Sequence, residues 1–289
     1  IFDPQRSDSP PPVVRRATRC MNCHAATEVG NAPGLLVSSV VPGPGGGSLD
    51  SFREGVTGHS IPLSERFGGW HVTGAGGLKK HWGNLTGKFH AGELTTIPNE
   101  PGQRFSLSRY PVDSSDLLAH LLHEHQAGFV NRFVSASYRV RAAMAGQVPG
   151  LGEEEFSGFL RGEALGLIRY LLFADEAALP PGGVTGDPAL KAHFLHAAKK
   201  TSSGASLREF DLRSRLFKRR CSYMIHSAAF AGLPPTLKTE TLRLLARILD
   251  GVDESEGFAY LPASERREIR EILRETFDEW PASSGPGGE

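Results

Sequence analysis

The chain is poor in several residue types. Three cysteines, three methionines, three tryptophans and five tyrosines are spread over 289 residues. So small and odd a cysteine count excludes a disulfide-built scaffold, and leaves only local chemistry for the thiols. Charge of one sign is missing too, because 32 Lys plus Arg balance 32 Asp plus Glu. No basic excess exists to neutralise a nucleic-acid backbone or an anionic membrane surface, which disfavours a nucleic-acid function. No apolar run reaches the length of about 18 residues that a membrane helix needs; the longest are short, such as Ala228-Ala229-Phe230-Ala231. Strand-like period-2 alternation is scarce, and no internal repeat is visible. The first residue is Ile1 and no basic-then-apolar leader follows it, which reads as a processed or truncated product.

Glycine and proline are abundant, at 34 and 20 residues. They concentrate before residue 116, in runs such as Pro42-Gly43-Pro44-Gly45-Gly46-Gly47 that continue neither a helix nor a central strand. Residues 1–115 therefore read as loops around a helix over 14–26 and brief extended pieces over 35–41 and 70–73. From Asp116 onward the pattern is helical, with a long segment to about Ala145 followed by segments over 153–173, 188–200, 206–217, 221–230, 235–250 and 263–277. The expected fold is mainly α: a loop-rich region (1–115) and a helical region (116–280) packed on it or forming one continuous domain with it, then a disordered tail over 281–289.

Cys20-Met21-Asn22-Cys23-His24 is the sharpest signal. Two thiols three residues apart on one helical turn both reach the vinyl groups of a haem, and the His that follows is placed to ligate the iron. The alternatives are half a zinc site or a Cys-X-X-Cys redox pair. Zinc lacks a second cluster, because Cys221 stands alone far downstream, and a redox pair lacks the strand expected before its helix. The reading is one covalent haem c on Cys20 and Cys23 with His24 as proximal ligand. Haem c attachment implies an exported, periplasmic setting.

The other face of the iron decides between carrier and catalyst. Met21 lies inside the motif, while Met144 and Met224 read as core fillers. His125 projects into the apolar stripe Leu118, Leu122, Phe129, Phe133, at about 100° per residue. It is either an iron ligand or distal-pocket residue, or a core histidine hydrogen-bonded to a carbonyl or carboxylate. His59 and His81, on Gly-flanked segments, are further distal candidates, with surface loop histidines as the plainer reading. Trp70 is a candidate to line the haem. His193 and His196 read as solvated, and the basic run Arg213, Arg215, Lys218, Arg219, Arg220 as a solvated helix end or a patch for an acidic partner.

These residues carry a resemblance. Cys20 to His24, Leu63-Ser64-Glu65-Arg66-Phe67-Gly68-Gly69-Trp70-His71-Val72-Thr73-Gly74, His81-Trp82-Gly83-Asn84, Glu124-His125-Gln126, and Ser206 to Leu212 through Cys221-Ser222-Tyr223 resemble a family of exported bacterial cytochrome c domain-containing proteins of unsettled activity. The resemblance spans about residues 13–275 and implies haem-pocket roles for His59, His81 and His125. The chain departs from the family pattern at Ala75-Gly76-Gly77, where Thr-His-Gly is usual, and at Trp82-Gly83-Asn84, where Met-Gly-Asn is usual. A ligand at either lost position is excluded. The expectation is a monohaem c-type cytochrome that transfers single electrons in the periplasm to a redox partner, including a membrane-associated electron-transport complex. The rivals are a haem-dependent oxidoreductase, peroxidase-like or oxygenase-like, with an open distal site, and a subunit of a larger redox assembly.

Overall fold

In the computed structural model, the structure describes residues 18–51, 58–74, 76–102, 105–252 and 257–281. Seven α-helices and four short strands occur among them: α1 (Met21–His24), β1 (Val40–Pro42), β2 (Ser48–Ser51), β3 (Leu85–His90), β4 (Glu93–Pro98), α2 (Leu117–Met144), α3 (Glu153–Leu171), α4 (Pro188–His196), α5 (Ala228–Ala231), α6 (Pro235–Leu249) and α7 (Ala263–Thr276). The fold is mainly α, and no helix among the described residues is long and apolar enough to cross a membrane.

The long helix α2 is the spine. Asp116 caps it, its carboxylate accepting the Leu118 amide at 2.9 Å, and Gly146 in the left-handed region (φ 66°) follows its end. Its stripe Leu118, Leu122, Phe129 and Phe133, with Val140, is buried, whereas Tyr138 and Met144 are exposed, so Met144 is not the core filler that its sequence position suggests. Helix α3 packs on α2 and α6, and α7 on α6. Leu63, Phe67 and Val72 of the loop-rich half belong to the same hydrophobic cluster as these helices. Each side chain of that size contributes roughly 1.5–3 kcal/mol on full burial.

Several expectations need correction. No helix forms over 206–217. Asp211 accepts hydrogen bonds from the Ser214 amide (2.9 Å), the Ser214 hydroxyl (2.6 Å) and the Arg215 amide (3.1 Å), so side chain and backbone close a tight turn, with Leu212 at φ 58° and a bridge between Phe210 and Phe217. The segment 221–230 splits into a 3-10 turn (Tyr223–His226) and α5, because Ser222 and Ser227 each cap a new start. The early helix is only α1 plus a preceding 3-10 turn, the part before residue 18 lying outside the described residues. The hairpin β3–β4 was not foreseen. Its two-residue loop, Ala91 (φ 51°) and Gly92 (φ 86°), takes the left-handed conformations that match strand twist.

Gly68 and Gly128 are among the glycines that close approach requires. A Cβ at Gly68 would collide with the Val40 backbone, where the Val40 amide donates to the Gly68 carbonyl at 3.2 Å. A Cβ at Gly128, on α2, would collide with the Tyr170 hydroxyl.

Candidate functional site

The motif segment lies on the surface. Cys20, Cys23 and His24 are exposed, both thiols are free, and the α1 turn is closed by the Ala25 amide donating to the Met21 carbonyl at 3.0 Å. The Nδ1 atom of His24 is 3.2 Å from the carbonyl oxygen of Gly34. A carbonyl only accepts, so Nδ1 carries the proton, and in the neutral ring Nε2 is the nitrogen left to act as a ligand.

Helix α2 fixes this loop. Asn131 accepts from the Leu35 amide at 2.7 Å and donates to the Leu35 carbonyl at 2.9 Å, and the Ser135 hydroxyl donates to the Gly30 carbonyl at 2.6 Å. Met21, Leu35 and Leu36 stand exposed on the same segment. A cleft of about 380 Å³ adjoins it, walled by Thr27 and Val29 and by Asn131, Ser135, Gly162 and Gly166 of α2 and α3.

His59 and His125 are brought together in a buried junction. Their Nδ1 atoms are 2.8 Å apart, and His125 Nε2 is 2.8 Å from the Ser222 hydroxyl. Both rings are stacked among aromatics, His59 on Tyr170 (4.0 Å between centroids) and His125 on Phe173 (4.6 Å). Burial drives both pKa values down, to about 3 for His125, helped by the Arg132 charge; for His59, His125 and then Arg132 and Arg66 add to it. The junction gathers the quoted motifs. Arg66 is buried, donates to the carbonyls of Ile61 and His59 at 2.6 Å each, and reaches the Glu124 carboxylate at 3.1 Å. Gln126 donates to the Tyr223 hydroxyl at 2.6 Å. Burial raises the Glu124 pKa to about 7, outweighing the opposing pull of Arg66.

Sequence reasoning singled out His125 and His59 but gave no role to Arg66, Glu124 or Ser222. The signal available was that all three lie inside the quoted motifs.

His81 and Trp70 lie apart from this pair. His81 Nδ1 accepts from the Gly83 amide at 3.1 Å, its ring stands edge-on to Phe67, and partial burial lowers its pKa. Trp70 is 43% exposed, with its ring edge-on to His120 and His123. The basic run is not on a helix, and of it only Arg213 and Lys218 are exposed. Arg219 is buried and bonded to Glu209 and Glu268, and Arg220 pairs with Glu265 at 2.6 Å, so these charges are neutralised internally.

Among the described residues, no group of three or more His, Cys, Asp or Glu is arranged to hold a metal ion. Compared with known proteins, the chain matches no family model, no curated protein and no solved structure.

Proposed function

We propose that the chain is a monohaem c-type cytochrome that passes single electrons to and from a redox partner outside the cytoplasm. The observation that carries this reading is the setting of His24: its Nδ1–H is held by the Gly34 carbonyl on the same exposed turn that offers the Cys20 and Cys23 thiols. Such a second hydrogen bond fixes the tautomer and ring orientation of a metal-ligating histidine and makes its Nε2 more basic. The residues present fit a haem. Cys20 and Cys23 would hold it as thioethers, His24 would be its proximal ligand, and the exposed apolar Met21, Leu35 and Leu36 would cover part of its face.

Haem iron, when bound, supplies a centre that gains and loses one electron. The chain's own residues keep that centre in place: Asn131 and Ser135 tie the loop to α2, and the Gly34 carbonyl holds the imidazole proton at Nδ1. The neutral overall charge and the internal pairing of Arg219 and Arg220 favour docking of the partner through the apolar edge at Leu35 and Leu36 rather than through a basic patch.

A second reading, a haem-dependent oxidoreductase with an open distal site, is favoured by the junction around His125. Both ring nitrogens of His125 have partners there, and His59 is stacked beside it, so in this arrangement His125 is a core histidine and not a free ligand. Expression with export and the haem-attachment machinery, followed by intact mass and absorption spectroscopy, tests the main reading. One covalent haem supports it. A low-spin ferric spectrum then favours the carrier, and a high-spin spectrum with rapid cyanide binding favours the open site.

A further inference from the structure

A second cleft, of about 310 Å³, opens between the β1–β2 turn, the start of β3 and the segment at 105–110. Its walls include Trp70, His71, Thr86, Asn99, Phe105 and Tyr110. None of its described lining residues is Asp, Glu, Lys or Arg, in a chain where 22% of residues are charged. Two of its aromatic side chains are left on the surface, Trp70 at 43% and Tyr110 at 57% exposure. Large aromatics held exposed at the mouth of a concave site supply contact area with a polar tip, at low conformational cost.

The cleft also carries unmet hydrogen-bonding capacity. Both ring nitrogens of His71 and the Oδ1 atom of Asn99 are buried without a partner. Phe105 stands edge-on against the His71 ring at 5.1 Å, and Tyr110 edge-on against Phe105 at 6.4 Å, so these aromatics flank the His71 ring at the cleft wall. An imidazole has one donor and one acceptor nitrogen, and an amide oxygen only accepts, so the missing partner must both donate and accept. Hydroxyl groups do both. Leaving such groups unpaired is costly, and a ligand that pairs them gains selectivity over one that does not.

We propose that this cleft binds a neutral, hydroxyl-bearing ring, a sugar residue, with its C–H faces against both Trp70 and Tyr110 and its hydroxyls on His71 and Asn99. The absence of charge among the described lining residues argues against phosphorylated or carboxylated ligands, and the orphaned polar atoms against a purely apolar one. This site is independent of the haem reading.

The whole chain, titrated with glucose, galactose, mannose, N-acetylglucosamine and cellobiose, tests it by calorimetry and by tryptophan fluorescence. Saturable binding of at least one of these sugars below about 10 mM, weakened about tenfold or more by both Trp70→Ala and Asn99→Ala with unfolding temperature unchanged, is the expected result. Should Trp70→Ala not fold, Tyr110→Ala serves in its place. No binding of any of these sugars up to about 10 mM, or binding that survives the substitutions, overturns the proposal. So does preferential binding of hydroquinone, an aromatic diol without a sugar's C–H face.

Discussion

The Nδ1 atoms of His59 and His125 face each other at 2.8 Å, so one imidazole donates to the other and neither has room for a second proton there. Ser222 occupies the far nitrogen of His125, and Tyr170 donates to the His125 carbonyl at 3.0 Å. The pair ties the segment around residue 59 to α2 and to the start of the 3-10 turn at Tyr223.

That pairing sets a pH dependence. Both histidines are held neutral in the fold, with pKa values below the ordinary 6.5, while in the unfolded chain they protonate near 6.5. Their contribution is complete above pH 6.5 and is lost as pH falls, down to about 3 for His125. Glu124 acts in the opposite sense. With its pKa raised from 4.5 to about 7, its contribution is present below pH 4.5 and lost as pH rises through 7. As pH falls below 4.5, Glu124 becomes protonated in both states and its contribution levels off, while His125 still changes. Carboxylates with lowered pKa, Glu209, Asp211 and Glu265, add to the acid loss. His125→Asn should remove from about one proton at pH 4.5 to about half a proton at pH 3 from the slope, about 1.4 falling to about 0.7 kcal/mol per pH unit, as read from urea unfolding at each pH. An unchanged slope would count against a neutral buried His125.

Arg66 is a buried charged member of the same junction, and its loss takes a donor from the Glu124 carboxyl and from the carbonyls of Ile61 and His59, of which the last keeps the Ala177 amide at 2.9 Å. Arg66→Met should destabilise by about 3–5 kcal/mol in chemical denaturation at neutral pH. Adding Glu124→Gln should recover part of that cost. A loss in the double variant equal to the sum of the two single losses would mean that the two side chains act independently.

How much of this was legible in the sequence depends on whether the signal was local. Asp116 before an apolar stripe announced α2 and its end near Ala145, because capping and periodicity act over a few residues. The spacing of Cys20, Cys23 and His24 was equally local. His125 was recognised as facing the core, but its partners His59 and Ser222 are 66 and 97 residues away, and pairing at that range leaves no periodic trace. The segment 206–217 misled because its apolar spacing is helical, while Asp211 and Ser214 satisfy the backbone locally and close a turn instead. The hairpin β3–β4 was hidden for a different reason: its loop is Ala91-Gly92 rather than Asn-Gly, and its strands are exposed on most positions, so alternation is weak.

Asn131 links α2 to the loop after the motif by two hydrogen bonds to Leu35. Asn131→Ala should cost about 1–3 kcal/mol through the unpaired Leu35 amide and carbonyl. It should also speed proteolysis within residues 25–40, measured by limited digestion and mass mapping. Cleavage at the wild-type rate would show that the loop is held by other contacts.

Asp211 closes the turn that replaces the expected helix. Asp211→Ala removes an acceptor for three donors, and thermal unfolding should show a loss of about 1–2 kcal/mol, smaller than for Arg66 because the carboxylate is partly solvated. A rise in helix content by circular dichroism would mean that the segment's periodicity wins once the turn is weakened.

The central claim is that Cys20, Cys23 and His24 hold one haem c. Intact mass spectrometry of the exported chain, made together with the haem-attachment machinery, tests it most directly. The account predicts a mass equal to the chain plus one haem, lost when both Cys20 and Cys23 are changed to Ala and unaffected by Cys221→Ala. A chain that leaves that machinery at its unmodified mass, with both thiols still titratable, would contradict it.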